Sequence, residues 1–518
     1  MMTVAMMHIE NLILINISGD HLNKDGLNTL PTLAQAYKLN FMMTLCAFFT
    51  FVLASCASLP TLTEAQQTAT AAPLQSNKPE IQLQGAKTTM SPKQSRVVLD
   101  KLELNAPDTG IFDRHLAFEN AVTSEPLTVG NRVQLLQDGA ATYQAMSQAI
   151  LAAKDHINLE TYIIENDEVG RAFVKLLIDK QRAGVHVNLI YDSVGSINTP
   201  RTFFDELREA GASVLEFNPV NPLNAKKGWD INQRDHRKLL IADGKTVFLG
   251  GVNISSVYSS GSFGRHKVAK QAAKNGEKQT PWRDTHIEIS GPVVASFQRL
   301  FLSTWDKQKG TPLKDKKYFP VLKVEGKEVI RAIASSSDDV QKGVNAKNEI
   351  TTPIYTTFLS AIMHAETSIF ITNAYFVPDM QLIDALKAAV TRGVKVKILL
   401  PGYTDSALVF HAGRFYYNVM LEGGIEIYER SDRLLHSKTV LIDGVWSSVG
   451  SSNLDWRSFL HNDEVVAIVL GTEFGNQMLK MFEKDLAASQ QVTLEKWEDR
   501  PYLNRVKERA ARVWAYWL

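Results

Sequence analysis

The chain has 518 residues, 45% of them hydrophobic and 21% charged, a composition that supports two hydrophobic cores and argues against disorder throughout. A formal net charge of +1 and a pI near 7.7 exclude a global attraction to nucleic acid, so any phosphate recognition has to be local.

In chain order, the first feature is the apolar run FMMTLCAFFTFVLA at residues 41–54, preceded by Lys38 and followed by Ser55-Cys56-Ala57-Ser58. It is shorter than the roughly 17–25 residues of a membrane span and has the proportions of a signal-peptide core. Leu53-Ala54-Ser55-Cys56 resembles a bacterial lipobox, which implies cleavage before Cys56, a lipidated N-terminus and a membrane-associated protein. The outer membrane or periplasmic face is then expected, with the inner membrane as the alternative. Residues 1–40 would precede that signal, so translation starts nearer Met42 or Met43, or the segment acts as an anchor. Cys46 and Cys56 are the two cysteines, which leaves no pair for a disulfide after cleavage. Residues 57–127, with stretches such as TEAQQTATAAPLQSNKP, bury too little apolar surface to offset ordering entropy and are expected to form a tether.

From Thr128 onward two halves run in parallel, 128–310 and 311–518. In the first, periodicity predicts a helix over 140–153, a strand over 157–164, a helix over 169–182 closed by Ala183-Gly184, and a strand over 185–191. In the second it predicts helix 353–365, strand 368–373, helix 380–391 closed by Arg392-Gly393, and strand 394–400. Strands alternating with helices imply an α/β fold, each half a mixed, mostly parallel sheet flanked by helices. Each half also carries a late hairpin, 239–242 turning at Asp243-Gly244 into 246–249, and 440–442 turning at Asp443-Gly444 into 445–449.

The hairpins lie within a repeated motif. DHRKLLIADGKTVFLGGVN begins at Asp235 and HSKTVLIDGVWSSVGSSN at His436, so His236, Lys238, Asp243, Gly250 and Asn253 match His436, Lys438, Asp443, Gly450 and Asn453. Five such positions coincide by chance at about one site in a million. Histidine and lysine two residues apart on an extended segment leave the same face. The turn at the far end, Gly251 and Asn253 in one copy and Ser451 and Asn453 in the other, can return backbone N–H groups and an amide to them. Such a group suits a phosphoryl oxygen, which lysine and asparagine neutralise and hydrogen-bond, leaving histidine to attack or to move a proton. Two facing copies supply a nucleophile and an acid. A metal is not expected, because an ammonium between the candidate ligands repels a cation.

The doubled HxKx4Dx6GxxN pattern resembles the phospholipase D superfamily. LLQDGAATYQAMSQAILAAKDHINLETYI from Leu135, WRDTH from Trp282, NAYFVPD from Asn373 and VGSSNLD from Val449 look like the bacterial cardiolipin synthases within it. The resemblance spans residues 128–518 and implies two similar domains with the active site between them. It also implies cofactor-free, two-step phosphatidyl transfer between membrane phospholipids, with two phosphatidylglycerols giving cardiolipin and glycerol. His236 is the implied nucleophile and His436 the acid and base, with Lys238, Lys438, Asn253 and Asn453 on the nonbridging oxygens. Asp284 and Glu464 are candidates to orient each half's own histidine. Asp243 and Asp443 belong to the catalytic motif, although aspartate before glycine is also what a turn requires. A phospholipase D or nuclease using water as acceptor is the alternative, and near-neutral charge speaks against nucleic acid. The basic stretch 265–278 reads as a solvated loop or a headgroup contact, the aromatic cluster at 410–417 and Trp229 as core or an acyl-chain entrance. Residues 502–518 read as a helix that packs on the second half or lies in a membrane interface.

Overall fold

The computed structural model describes residues 59, 81–106, 109–221, 229–259, 280–337 and 352–518. The apolar run at 41–54, Cys56 and the basic stretch 265–278 lie outside the described residues.

The strands of the first half are β1 (Thr128–Gln137), β2 (His156–Thr161), β3 (His186–Asp192), β4 (Ser213–Phe217), β5 (Arg234–Asp235), β6 (Lys238–Ala242), β7 (Thr246–Gly250) and β8 (Thr285–Ser290). Those of the second are β9 (Glu328–Ser335), β10 (Ser368–Asn373), β11 (Phe376–Val377), β12 (Lys395–Pro401), β13 (Glu426–Arg430), β14 (Lys438–Ile442), β15 (Trp446–Gly450), β16 (Leu454–Asp455), β17 (Asn462–Leu470) and β18 (Ser489–Val492). β11 and β16 pair with each other, and the rest form one continuous sheet in the order β18-β13-β12-β10-β14-β15-β17-β9-β1-β8-β7-β6-β2-β3-β4, with β5 on β17.

Each half is thus an α/β unit with a mixed sheet, as expected. Its longer parallel ladders are β2-β3-β4 and β10-β12-β13, beside the two-residue parallel pairs β5-β17 and β11-β16. The hairpin strands, the edge strand β18 and the seam β17-β9-β1-β8 add antiparallel ladders around these parallel cores, which makes each sheet mixed. The reason is local: a two-residue turn can join strands only antiparallel.

Helices cover both faces. Tyr143, Met146, Phe173, Leu177, Phe203 and Phe204 of helices Asp138–Ala152, Glu168–Arg182 and Arg201–Glu209 pack on Leu159, Leu189 and Leu240. On the other face, Phe297, Phe301 and Trp305 of Val294–Lys307 and Phe474, Met478 and Met481 of Thr472–Ala487 share one core with strands of both halves. β17, NDEVVAIVL, is buried at all nine positions, as a central strand covered on both sides must be. The glycine stops behave as read. Gly184 and Gly393 have φ of +88° and +91°, and the following N–H of Val185 and Val394 each reach back 3.0 Å to Lys180 and Ala389 oxygens.

The expected tether over 57–127 is corrected across its described part. Ser91 and Gln94 form a reciprocal capping box that starts helix Pro92–Leu104. Helix Leu116–Val122 docks against Pro353–His364, with Glu119 fully buried, 3.1 Å from Arg331 and 3.2 Å from Trp446 Nε1. These partners lie over 200 residues away in sequence, so no local pattern revealed them.

Candidate active site

Both Asp-Gly turns have left-handed φ at both residues, +53° and +63° for Asp243-Gly244 and +51° and +66° for Asp443-Gly444. This mirror-image turn matches strand twist, and it sets the hairpins β6-β7 and β14-β15 side by side with β2 and β10. The histidines stand just ahead of β6 and β14, where each motif segment is held by the other half. β5 pairs parallel with Asn462 and Asp463, and His236 N–H donates to Asp463 O at 3.0 Å. Leu435 bridges Arg283, and His436 N–H donates to Arg283 O at 2.8 Å.

That exchange decides the carboxylate partners. His236 Nδ1 lies 2.9 Å from Glu464 Oε1, and His436 Nδ1 lies 2.7 Å from Asp284 Oδ2. The same-half pairing read from the sequence is therefore corrected: each histidine is oriented by the carboxylate of the opposite half. All four side chains are buried.

Burial sets the charge states. It pushes the His236 imidazole down to about 4, against the pull of Glu464. Burial would raise Glu464, but the charge and hydrogen bond of His236, with Lys238 and Ser451, hold its carboxyl at about 2. His436 is lowered by burial and then by Lys438, whose Nζ lies 3.0 Å from both ring nitrogens. Burial brings Lys238 to about 7, with Glu464 opposing and Lys438 adding repulsion, and brings Lys438 to about 8 against Asp284 and Glu464. Two ammonium groups that repel each other across the halves, and a His236 that feels Lys438, define one centre. An incoming phosphodiester monoanion relieves that repulsion.

The turns after the hairpins act differently from expectation. Gly251 N–H donates to Thr285 O at 3.0 Å and Ser451 N–H to Val465 O at 2.9 Å, so neither backbone N–H is left for a phosphate. Instead Ser451 holds its carboxylate and Gly251 leaves room for the other. Ser451 Oγ donates to Glu464 Oε2 at 2.5 Å, and a Cβ on Gly251 would sit 2.1 Å from Asp284 Oδ1. The asparagines are unequal. Asn253 accepts from Ile163 N–H at 3.2 Å and donates to Tyr258 Oη at 2.9 Å, whereas Asn453 Oδ1 is buried without a hydrogen-bond partner among the described residues.

Asp243 and Asp443 are corrected from catalytic to structural. Asp243 accepts from the N–H groups of Lys154, Asp155 and His156 at 2.8–3.2 Å, and Asp443 from those of Glu366, Thr367 and Ser368 over the same range. Each pins the turn to the loop entering β2 or β10, at the far end of its hairpin from the histidine.

Four aromatic residues stand at the site, of which Tyr162, Trp282 and Tyr375 lie in the synthase-like stretches without a role assigned from sequence and Tyr258 lies outside them. Tyr162 and Tyr375 stand beside the two histidines, with ring centroids 5.0 and 6.0 Å away, and beneath Lys238 and Lys438 at 5.1 and 5.8 Å. Tyr258 Oη lies 3.4 Å from His436 Nδ1, and Trp282 is 5.4 Å from the same ring. A signal for Tyr162 and Tyr375 existed, since each follows the first parallel strand of its half. Of the stretches given less weight, Phe410, Gly413 and Arg414 line a small groove with Tyr375 and Phe376, and Trp229 Nε1 donates to Pro219 O at 2.7 Å.

Against known proteins, the family described as "Cardiolipin synthase, PLD-like domain" matches residues 146–261 and 358–486, one copy in each half. The cardiolipin synthase of Alkalihalophilus pseudofirmus is 35% identical over 391 residues, 75% of this chain and 72% of that protein. The major cardiolipin synthase ClsA of Bacillus subtilis is 33% identical over 392 residues, 74% and 75% of the two chains. Among solved structures, phosphatidylserine synthase of Haemophilus influenzae superposes with a TM-score of 0.54 at 13% identity, covering 77% of this chain and 99% of that one, which shows a shared fold. With the crossed histidine–carboxylate pairs at its centre, the chain belongs to the cardiolipin synthase family of phospholipase D-like enzymes.

Proposed function

We propose that the chain transfers a phosphatidyl group from one phosphatidylglycerol to the glycerol hydroxyl of another, forming cardiolipin and releasing glycerol. The observation that carries this is the pair of buried imidazoles, each with Nδ1 committed to a carboxylate of the opposite half. With Nδ1 so engaged, Nε2 is the nitrogen left on each ring for chemistry, one imidazole to attack and the other to move the proton.

His236, neutral at working pH, attacks phosphorus through Nε2. The bond to the glycerol oxygen breaks, and protonated His436 gives its Nε2 proton to that oxygen. Glu464 stabilises the positive charge that develops on His236, and Lys238 and Lys438 neutralise the nonbridging oxygens. In the second step His436 removes the proton from the incoming hydroxyl, whose oxygen attacks phosphorus as the P–N bond breaks, restoring His236. The aromatic side chains around the histidines favour a lipid alcohol over water. The order of the two histidines follows the family resemblance.

Purified protein with phosphatidylglycerol vesicles, read by mass spectrometry of lipids and a glycerol assay, tests this. Cardiolipin and glycerol in equal amounts are expected. Phosphatidic acid without cardiolipin would place the enzyme with the hydrolases, and no turnover of lipid would reject both. Membrane attachment through Cys56 belongs to the same proposal, and labelled palmitate should enter the wild type but not Cys56→Ser.

A further inference from the structure

The C-terminal helix Tyr502–Arg512 presents its faces in the reverse of the usual sense. Its inward side carries Glu508, 2% exposed, and Ala511, 4% exposed, with Glu508 held 2.8 Å from Arg500. Its outward side carries Tyr502, Leu503, Val506 and Val513 at 76, 63, 44 and 66% exposure. At about 100° per residue these four, with exposed Ala510, fall within roughly 100° of arc, a continuous apolar stripe. Lys507 and Arg509 border it on either side, and both are exposed. Beside it opens a cavity of about 420 Å³ lined by Arg500, Arg505 and Arg509 together with Glu498 and Glu508. A water-facing helix that buries its glutamate and exposes valine, leucine and tyrosine has the wrong side toward water unless that side is covered.

The basic borders say what covers it. Anionic phosphate headgroups pair with lysine and arginine at the edges while the stripe enters the acyl boundary, whereas an apolar protein partner gives those cations nothing to match. The helix also sits where a bilayer would be useful. It packs on helix Ala407–Arg414, whose Phe410, Gly413 and Arg414 line the groove shared with Tyr375 beside His436. The turn after it, Ala515–Trp517, stacks Trp517 on His461, three residues before Glu464.

We propose that helix Tyr502–Arg512 is a docking surface for an anionic phospholipid bilayer, seating the second half's groove on the membrane that holds the substrate. The proposal rests on phosphatidyl transfer only for its purpose; the surface itself is read from exposure and charge.

The test uses the full chain and two variants, Leu503→Ser/Val506→Ser/Val513→Ser and Lys507→Glu/Arg509→Glu, all at exposed positions away from the histidines. Turnover is compared on phosphatidylglycerol vesicles and on monodisperse dihexanoyl phosphatidylglycerol, and hydrogen exchange of residues 502–513 is followed with phosphatidylglycerol or phosphatidylcholine vesicles. Expected is a loss of at least tenfold on vesicles with turnover of the short-chain lipid within twofold, and protection of 502–513 by the anionic vesicles. Unchanged turnover on vesicles, or an equal loss on both substrates, would overturn the proposal. Protection that rises with protein concentration without lipid would also overturn it, marking a second copy as occupant. If the wild type protects 502–513 on vesicles but turns over neither lipid, the docking stands and phosphatidyl transfer falls.

Discussion

Replacing Glu464 by glutamine removes one charge while keeping shape, and the crossed pairing makes its effect distinctive. The fall of that carboxyl from 4.5 to about 2 corresponds to roughly 3 kcal/mol favouring its ionised form, with His236 the foremost group holding it down against burial. Lys238 and Ser451 share in that figure, so the part lost from the imidazolium that forms on His236 is that of one charged hydrogen bond, about 1.5–3 kcal/mol, which slows transfer roughly 10- to 10²-fold. Asp284→Asn should act instead on His436, the proton donor. A phosphatidyl ester of p-nitrophenol separates the two, because its leaving group departs without a proton. On phosphatidylglycerol both variants should be slow. In the first-turnover burst of nitrophenolate, before His436 is needed as the base of the second step, Asp284→Asn should recover to within about tenfold of wild type, as His436→Ala does, while Glu464→Gln should stay as impaired as His236→Ala. The comparison holds whichever histidine attacks, since each carboxylate is matched to the histidine it mimics. If Glu464→Gln instead followed His436→Ala, the pairing across halves would be wrong.

The remaining predictions follow from the same geometry. In pH–rate profiles on monodisperse substrate, kcat/KM should rise with loss of the His236 proton near pH 4 and fall again at an alkaline limb, because His436, lowered from 6.5, and the lysines at about 7 and 8 must carry their protons. A bound phosphate monoanion raises all three, so the alkaline limb of kcat should lie at higher pH, and coincident limbs would contradict this. Asp243→Ala and Asp443→Ala each strand at least three backbone N–H groups, which costs about 1–3 kcal/mol and lowers Tm by several degrees, with kcat of the folded enzyme within about threefold. Thermal melts with active-site titration check that split. Gly251→Ala forces a methyl group into Asp284 and should reproduce Asp284→Asn, including recovery on the nitrophenyl ester.

What the sequence disclosed was what its chemistry settles nearby. The hairpins followed from Asp-Gly between apolar runs, and strand 368–373 and helix 380–391 coincide with Ser368–Asn373 and Met380–Thr391. The doubled motif disclosed the reacting groups because lysine and histidine at fixed spacing have few structural uses. The carboxylate partners were found but matched wrongly, since His436 and Asp284 lie 152 residues apart and His236 and Glu464 228. The match depends on β5 docking on β17, a two-residue ladder with no periodicity of its own. Gly251 and Ser451 looked like phosphate binders because glycine and serine in a turn usually offer N–H groups, and here the ladder extends one residue further and takes them. The segment at 92–104 carried a readable signal in Ser91-Pro92-Lys93-Gln94, outweighed by its polar composition.

The central claim is that both halves build one centre in which His236 carries the phosphatidyl group. Rapid acid-free quenching of the enzyme with phosphatidylglycerol labelled in the phosphatidyl moiety, followed by peptide mapping, tests it most directly. A phosphoramidate on the peptide containing His236, absent in His236→Ala and accumulating in His436→Ala given the nitrophenyl ester as donor, is the expected result. Label on His436, or turnover with no covalent protein-bound phosphatidyl group, would contradict it.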